Sequence, residues 1–223
     1  MYKSIIRPLL FSLFSPETIH HLTVNLIKLM GYLPAGRWFT GLFFTVRHPA
    51  LEREVFGIHF DNPVGLAAGF DKNAEVYGPL AAFGFGHVEV GTVTPRPQPG
   101  NPKPRLFRLV ADNAIINRMG FNNGGMEKAQ QNLHRRRHSV VGINLGKNTL
   151  TPNEAAAADY LKVFRTLYDK ADYFVVNVSC PNVAKMACLQ QKDNLTEIIA
   201  GLVDFRRGQN DYRPILLKIS PDL

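Results

Sequence analysis

The chain has 223 residues, of which 45% are hydrophobic and 20% are charged, and this composition excludes a disordered protein. Its 26 Lys and Arg residues outnumber 18 Asp and Glu, and the formal charge of +8 favours anionic partners such as phosphorylated ligands, nucleic acid or acidic lipids. Two cysteines, Cys180 and Cys188, are too few for a disulfide framework or a structural zinc site, so no metal site is predicted.

The N-terminal part of the chain is predicted to form helices. Apolar residues recur at helical spacing over residues 5–13, and Ser15 followed by Pro16 begins a second helix that ends at Gly31. A third segment, residues 36–48, is rich in aromatic side chains. The first apolar run is too short for a signal peptide or a membrane span. From the residues alone, these helices either pack on the rest of the protein or lay their apolar faces in one membrane leaflet.

Short strands are predicted after residue 48. Residues 53–63 alternate around Gly57, which indicates a hairpin. Five apolar runs follow and are each predicted to form a strand: 62–69, 86–93, 139–146, 172–179 and 213–220. Helical patterns separate the later runs: 124–137, 152–171 and 192–207. Apolar strands that alternate with helices predict an α/β fold with a parallel sheet covered on both faces.

Two folds fit this alternation, an open doubly wound sheet and a (β/α)₈ TIM barrel. The chain has no G-x-G-x-x-G between a strand and a helix, so the dinucleotide fingerprint of an open sheet is missing. Every predicted strand also ends in polar or reactive residues, and barrels build their sites from many strand ends. The sequence therefore favours a barrel. A complete barrel has eight strands in ~250 residues, so the five predicted strands indicate a truncated one.

Six stretches of the chain carry a resemblance to a known family. They are NPVGLAAGFDKN (62–73), GFGHVEVGTVTPRPQPGNPKPRLFRL (84–109), INRMGFNN (116–123), GINLGKN (142–148), NVSCPN (177–182) and LLKISPDL (216–223). Together they resemble dihydroorotate dehydrogenase, the flavin enzyme of pyrimidine synthesis. The N-terminal helices resemble the extension of class 2, the membrane-associated form that reduces quinone. The resemblance divides the chain into a helical extension, residues 1–47, and part of a flavin-binding barrel, residues 48–223.

The resemblance implies FMN-dependent oxidation of (S)-dihydroorotate to orotate on the route to UMP, with electrons passed to a quinone. It implies peripheral association with the cytoplasmic face of the cell membrane. The implied catalytic base is Cys180. The implied pyrimidine-binding residues are Lys72, Asn117, Arg118, Met119, Gly120, Phe121, Asn177 and Asn182, of which residues 118–121 contribute through their backbone. The implied FMN-binding residues are Ala68, Gly69, Phe70, Asp71, Lys72, Thr92, Asn144, Asn177 and Lys218. His20 and Arg108 are implied to line the quinone tunnel.

One residue departs from the class 2 pattern. Class 2 enzymes usually carry serine as the base, whereas Cys180 resembles class 1 enzymes, which use fumarate or nicotinamide. The electron acceptor therefore stays open. Two further alternatives are a truncated barrel without activity and a lyase that uses Lys218 as a Schiff-base lysine. The basic run 134–138 follows a predicted helix, whose C-terminus favours positive charge, and no nucleic-acid partner is predicted.

Overall fold

The computed structural model describes residues 2–33, 35–134, 139–179 and 186–220 of the chain. A π-helical turn, Tyr2–Ile6, leads into α1 (Arg7–Leu13), which is followed by α2 (Pro16–Tyr32) and α3 (Gly36–Phe44). The Ser15 Oγ atom accepts a hydrogen bond from the amide of Thr18 at 3.2 Å, and a proline occupies the first turn of α2. The predicted start of the second helix is therefore confirmed, because its orphan amide has the expected cap.

These helices pack through only part of their apolar surface. Val24 and Ile27 of α2 are buried in the main core. Other large apolar side chains of α2 and α3 are more than half exposed: Leu22, Leu26, Leu29, Trp38, Phe39, Leu42 and Phe43. A contiguous exposed apolar surface usually marks an interaction site. Within the described ranges, no helix combines the length and the apolar character needed to cross a membrane.

A short hairpin follows the helices after a 3₁₀ turn, Pro49–Leu51. Its strands are β1 (Arg53–Val55) and β2 (Ile58–Phe60), which pair antiparallel. The turn contains Phe56 and Gly57, both with positive φ, as tight hairpins of two residues require. The predicted hairpin around Gly57 is confirmed.

A parallel sheet forms the centre of the protein. In the described part of the chain it has five strands: β3 (Gly65–Leu66), β4 (His87–Val93), β7 (Val140–Leu145), β8 (Tyr173–Asn177) and β9 (Ile215–Lys218). All neighbouring pairs of these strands are parallel. Each strand lies inside one predicted apolar run, so the five predicted strands are confirmed. The α-helices described between them are α4 (Tyr77–Ala81), α5 (Gly125–Asn132), α6 (Ala156–Leu167) and α7 (Lys192–Arg207).

The strands follow one another across the sheet in chain order. A doubly wound sheet reverses this order at a switch point, whereas a (β/α)₈ barrel adds each strand beside the previous one. The observed order is that of a partial barrel. Its core lies between the sheet and the outer helices, where Phe164 of α6 meets Phe174 of β8 edge to face, with ring centroids 4.6 Å apart. Both rings are fully buried.

One element was not predicted. Strands β5 (Leu106–Leu109) and β6 (Ala114–Asn117) form a second antiparallel hairpin outside the main sheet. Most of their residues are apolar, but the side chains are partly exposed or exposed, so the hairpin is not part of the buried sheet. The helix predicted over 124–137 is observed from Gly125 to Asn132. The segment predicted over 152–171 contains α6 flanked by two 3₁₀ turns, Asn153–Ala155 and Tyr168–Lys170. A further 3₁₀ turn, Met186–Gln190, precedes α7.

Candidate active site

The carboxyl ends of the parallel strands open into a cleft of about 730 Å³. The helices α1 and α2 form one wall of this cleft, and the β5–β6 hairpin with the loop after it forms another. The lining residues are Phe11, Pro16, Glu17, Ile19, His20, Thr23, Ala68, Gly69, Phe70, Lys72, Thr92, Leu106, Arg108, Ile115, Asn117, Met119, Gly120, Phe121, Asn177, Ser179 and Lys218.

The segment after β3 lines the cleft with small residues and backbone. Gly69 has φ +109°, a conformation that residues with a side chain rarely adopt. A Cβ atom at this position would meet no protein atom within 4 Å, so a larger residue would project into open space. The Gly69 amide donates to the carbonyl of Gly91 at 2.8 Å and ties the segment to β4. This backbone leaves room for a flat ligand to approach it closely.

Three neighbouring strands contribute a hydrogen-bonded wall to the cleft, which we call the polar wall and define as Glu89, Thr92, Asn144 and Asn177. The Thr92 Oγ1 atom donates to Asn144 Oδ1 at 2.6 Å. The Asn177 Nδ2 group donates to Thr92 Oγ1 at 3.1 Å and to Asn144 Oδ1 at 3.0 Å. Asn144 is fully buried, whereas Thr92 and Asn177 line the cleft.

Glu89 supports the polar wall through a hydrogen bond with Asn144. Its Oε1 atom accepts a hydrogen bond from Asn144 Nδ2 at 2.7 Å. Burial raises the pKa of the Glu89 carboxyl, while the hydrogen bond from Asn144 and the positive charge of Lys218 act in the opposite direction. Lys218 itself is exposed and lines the cleft.

Lys72 brings a positive charge to the cleft. Its Nζ atom donates to Asn122 Oδ1 at 3.0 Å. Burial lowers the pKa of Lys72 to about 8, the charge of Arg105 adds to this shift, and Glu17 opposes it. An ammonium group that has lost part of its hydration gains more from an anionic ligand than one in water. Lys72 is therefore suited to hold a ligand carboxylate.

The loop that follows β6, residues 118–121, is held by Gln98. The Gln98 Nε2 group donates to the carbonyls of Gly120 and Phe121 at 3.2 and 3.1 Å. Its Oε1 atom accepts from Asn148 Nδ2 at 3.0 Å and from the amide of Thr149 at 2.9 Å. Both polar atoms of one carboxamide are used, which fixes the loop against the segment after β7.

The mouth of the cleft is formed by aromatic and basic side chains. The His20 ring lies edge to face on Phe70 with centroids 5.0 Å apart, and burial together with the charge of Lys72 lowers the pKa of His20. The Arg108 guanidinium lies over the ring of Phe11 at 4.1 Å and donates to the carbonyl of Phe14 at 2.9 Å. The hairpin thereby holds the end of α1 beside the opening.

Comparison with known proteins gives the family of this chain. The family model described as dihydroorotate dehydrogenase matches residues 50–223. The chain belongs to the dihydroorotate dehydrogenase family. Among curated dihydroorotate dehydrogenases (quinone), that of Christiangramia forsetii is 51% identical over 223 residues, which are 100% of this chain and 65% of the relative. That of Synechococcus sp. (strain JA-3-3Ab) is 48% identical over 233 residues, covering 100% of this chain and 60% of the relative.

Solved structures of the family share this fold. The crystal structure of DHODH from Eimeria tenella in complex with ferulenol matches with a TM-score of 0.84 and 38% identity, over 98% of this chain and 63% of that one. The ligand-free DHODH of the same organism matches with a TM-score of 0.81 and 39% identity, over 94% of this chain and 62% of that one. The predicted barrel fold is thereby confirmed. The chain spans about three fifths of the length of these dihydroorotate dehydrogenases.

The structure brings most of the predicted site residues together. Thirteen of them line the cleft: His20, Ala68, Gly69, Phe70, Lys72, Thr92, Arg108, Asn117, Met119, Gly120, Phe121, Asn177 and Lys218. Asn144 lies directly behind this lining. The side chains of two further predicted residues, for which the resemblance implies contacts through the backbone, point elsewhere. The Asp71 carboxylate accepts from the amides of Glu75 and Val76 at 2.8 Å, and the Arg118 guanidinium donates to the carbonyl of Pro104 at 2.8 Å. Cys180, Asn182 and residues 135–138 lie outside the described residues.

Sequence reasoning missed the residues that hold the lining in place. Glu89, Gln98 and the pair of Glu17 and Arg105 were not predicted. Glu89 interrupts an apolar strand at a position that faces the barrel interior, and this irregularity was a usable signal. Gln98 and Arg105 lie in a stretch that is rich in proline and glycine, where no periodicity indicates which side chains are buried.

Proposed function

We propose that the protein oxidises dihydroorotate to orotate with bound FMN and passes the electrons to a quinone. Its family is flavin-dependent. The observation that carries the proposal is the convergence of thirteen predicted ligand residues on one cleft at the carboxyl ends of the strands. In a barrel this is where ligands bind. Relatives named dihydroorotate dehydrogenase (quinone) support the same activity, and a lysine-dependent lyase has no such support.

The donor set of the cleft fits a flavin ring. Ala68, Gly69 and Phe70 offer a flat surface, because the conformation of Gly69 leaves open space above the backbone. Thr92, Asn177 and Lys218 offer polar atoms to the heteroatoms of the ring. Bound here, the flavin would supply the hydride acceptor that amino-acid side chains lack. The protein's task is then to orient the pyrimidine and to remove a proton.

The pyrimidine would be held through its amide edges and its carboxylate. Asn117 and Asn177 line the cleft and match the donors and acceptors of a uracil-like ring. Lys72 would bind the carboxylate, which would raise the pKa of the ammonium group from about 8. Asn182 and the base Cys180 are proposed on family resemblance. The thiolate would take the proton from the carbon beside the one that loses the hydride.

The quinone would enter between α1 and α2. Phe11, Ile19, Leu106 and Ile115 provide an apolar path along the cleft, and His20 and Arg108 provide polar atoms beside it. The exposed apolar side chains of α2 and α3 would rest in one leaflet of the membrane, where a lipid-soluble quinone is concentrated. Family resemblance supports the further proposals that the protein associates peripherally with the cytoplasmic membrane face and that the chain divides into a helical extension, residues 1–47, and the barrel segment, residues 48–223.

The test uses protein expressed from its own gene and supplied with FMN. We expect a yellow protein that forms orotate, followed by absorbance, when dihydroorotate and a short-chain quinone are present. Fumarate in place of the quinone distinguishes the acceptors. Faster turnover with fumarate would overturn the quinone assignment alone. A colourless protein that leaves dihydroorotate unchanged would overturn the proposed function and favour the inactive alternative.

A further inference from the structure

The direction of every hydrogen bond in the polar wall depends on Glu89. An ionised carboxylate only accepts hydrogen bonds, so Asn144 must present its Nδ2 group to Glu89 at 2.7 Å. The Asn144 Oδ1 atom then faces the cleft side, where it accepts from Thr92 at 2.6 Å and from Asn177 at 3.0 Å. Asn144 has no freedom to rotate its carboxamide while Glu89 is charged.

This constraint passes to the two residues that line the cleft. Thr92 has one hydroxyl proton and gives it to Asn144, so toward other partners its Oγ1 atom only accepts. Asn177 uses its Nδ2 group on Thr92 and Asn144, and its Oδ1 atom accepts from the amide and the hydroxyl of Ser179 at 3.3 and 3.2 Å. The cleft surface therefore presents a free oxygen lone pair from Thr92, whereas the carboxamide of Asn177 is already used by Thr92, Asn144 and Ser179.

We infer that Glu89 is a positioning residue, which acts through the buried Asn144 to make Thr92 of the polar wall an acceptor for the N–H edge of a planar ring. The inference rests on the proposed function, in which that ring is the flavin or the pyrimidine. Glu89 is not among the residues that line the cleft, so its effect on a ligand passes through Asn144. Burial raises the pKa of the Glu89 carboxyl, while the hydrogen bond from Asn144 and the positive charge of Lys218 favour its ionised form.

An exchange of two side chains tests this inference. Glu89→Gln gives Asn144 a partner that can also donate, so the carboxamide of Asn144 can turn over. In Asn144→Asp the donor to Glu89 is lost, so the new carboxylate lies against the Glu89 carboxylate and both groups can only accept hydrogen bonds. In the double variant, the glutamine introduced at position 89 donates to the aspartate introduced at position 144, whose oxygens still accept from Thr92 and Asn177. The exchange therefore restores the original direction of the bonds toward the cleft. Glu127→Gln, at an exposed position of α5, is the control for loss of one negative charge.

Two measurements separate the outcomes. In FMN titrations followed by quenching of flavin fluorescence, we expect each single variant to bind roughly tenfold more weakly and the double variant to recover most of the loss, because hydrogen bonds to charged groups contribute on this scale. In urea unfolding of the FMN-free protein, we expect each single variant to raise the unfolding constant roughly tenfold and the double variant to raise it less than either.

Single variants that bind FMN like the parent, or a double variant that binds no better than the singles, would overturn the inference and leave the proposed function intact. If the parent protein itself does not bind FMN, the proposed function fails. The inference about the ring then fails with it. The unfolding cycle tests the coupling of Glu89 with Asn144 on which the inference depends, and single effects that simply add in the double variant would overturn the inference even where FMN binds.

Discussion

Glu17 of α2 and Arg105, which precedes β5, form a buried ion pair between the helical extension and the barrel segment. The Arg105 Nη2 and Nε atoms donate to the two carboxylate oxygens of Glu17 at 2.7 and 3.2 Å. Arg105 also donates to the carbonyls of Pro99 and Asn101. The hydrogen bonds from Arg105 hold the pKa of the Glu17 carboxyl below its usual range. This pair fixes the position of α2, and with it His20, at the mouth of the cleft.

Removing the charge of Glu17 should loosen the extension. In Glu17→Gln the buried Arg105 guanidinium loses its counter-ion, and we expect the free energy of unfolding to fall by about 2–4 kcal/mol. Because the folded pKa of Glu17 is depressed, its contribution is present above the unfolded value of 4.5 and is lost as pH falls through the folded value. The free energy of unfolding of the variant should therefore decrease less than that of the parent as pH falls. Urea unfolding at several pH values measures this difference.

The Glu17→Gln variant should affect the quinone end of the cleft and the pyrimidine end to different extents. We expect the KM for quinone to rise more than the KM for dihydroorotate, because α2 lines the mouth of the cleft directly, whereas Glu17 acts on the pyrimidine side through the pKa of Lys72. Glu197→Gln, which removes a charge at an exposed position of α7, is the matched control. Equal stability of the Glu17 and Glu197 variants would show that the ion pair does not hold the extension.

Gln98 should control the pyrimidine side of the cleft. Gln98→Glu keeps the shape of the side chain but removes the donors to the carbonyls of Gly120 and Phe121, leaving acceptors opposite acceptors. Unpaired buried groups of this kind cost about 1–3 kcal/mol. We expect the KM for dihydroorotate to rise by roughly tenfold, with a smaller effect on the affinity for FMN.

Gln131→Glu is the control for Gln98→Glu, because it makes the same chemical change at an exposed position of α5. Steady-state kinetics on both variants, with FMN titrations beside them, distinguish a local effect from a general loss of folding. A Gln98 variant with the dihydroorotate KM of the parent would contradict the role of this residue in holding the loop.

Lys72 should make stability depend on pH in the alkaline range. Its folded pKa of about 8 lies below the ordinary value of 10.5, so between these values the unfolded chain binds more protons than the folded one. Stability of the ligand-free protein should therefore rise as pH increases from 8 toward 10.5. Lys72→Met should remove this rise and should be more stable than the parent at neutral pH. Urea unfolding from neutral pH to the alkaline end of this window measures both effects.

Lys72 should also govern binding of the substrate carboxylate. We expect the KM for dihydroorotate to increase above about pH 8 in the parent, as the free ammonium group loses its proton. Lys192→Met, at an exposed position of α7, serves as the control and should keep the pH dependence of the parent. If Lys72→Met binds dihydroorotate as well as the parent does, the carboxylate contact is wrong.

The sequence predicts the sheet well, because a strand that is buried on both faces consists of a short run of mostly apolar residues. The strand Val140–Leu145 lies in a mostly apolar run of the chain, and all but its first residue are buried in the structure. The residues of the β5–β6 hairpin are also mostly apolar, yet they are half-buried or exposed and lie outside the main sheet, so apolar character alone does not place this hairpin. Its position depends on contacts with α2, which is distant in sequence.

The candidate site also has residues that the sequence predicts and residues that it does not. Residues such as Asn117 and Lys218 are predicted from resemblance, and the fold does bring them to one cleft. The partners of these residues were not predicted, because a partner is defined by the fold. Glu89 and Asn144 are 55 positions apart, and only the parallel pairing of β4 with β7 joins them. A single sequence gives no measure of that pairing.

Cys180, the proposed base, lies outside the described residues, and its test is kinetic. A thiol with a reference pKa of about 8.5 ionises far more readily than a serine hydroxyl, so proton removal should reach its plateau at a lower pH than in a serine enzyme. In Cys180→Ser we expect orotate formation at neutral pH to fall by roughly tenfold or more and the plateau to move to higher pH. Cys188→Ser, which changes an exposed thiol, should keep the profile of the parent. Because only the base differs, superimposable pH–rate profiles for the parent and the Cys180 variant would mean that another group removes the proton.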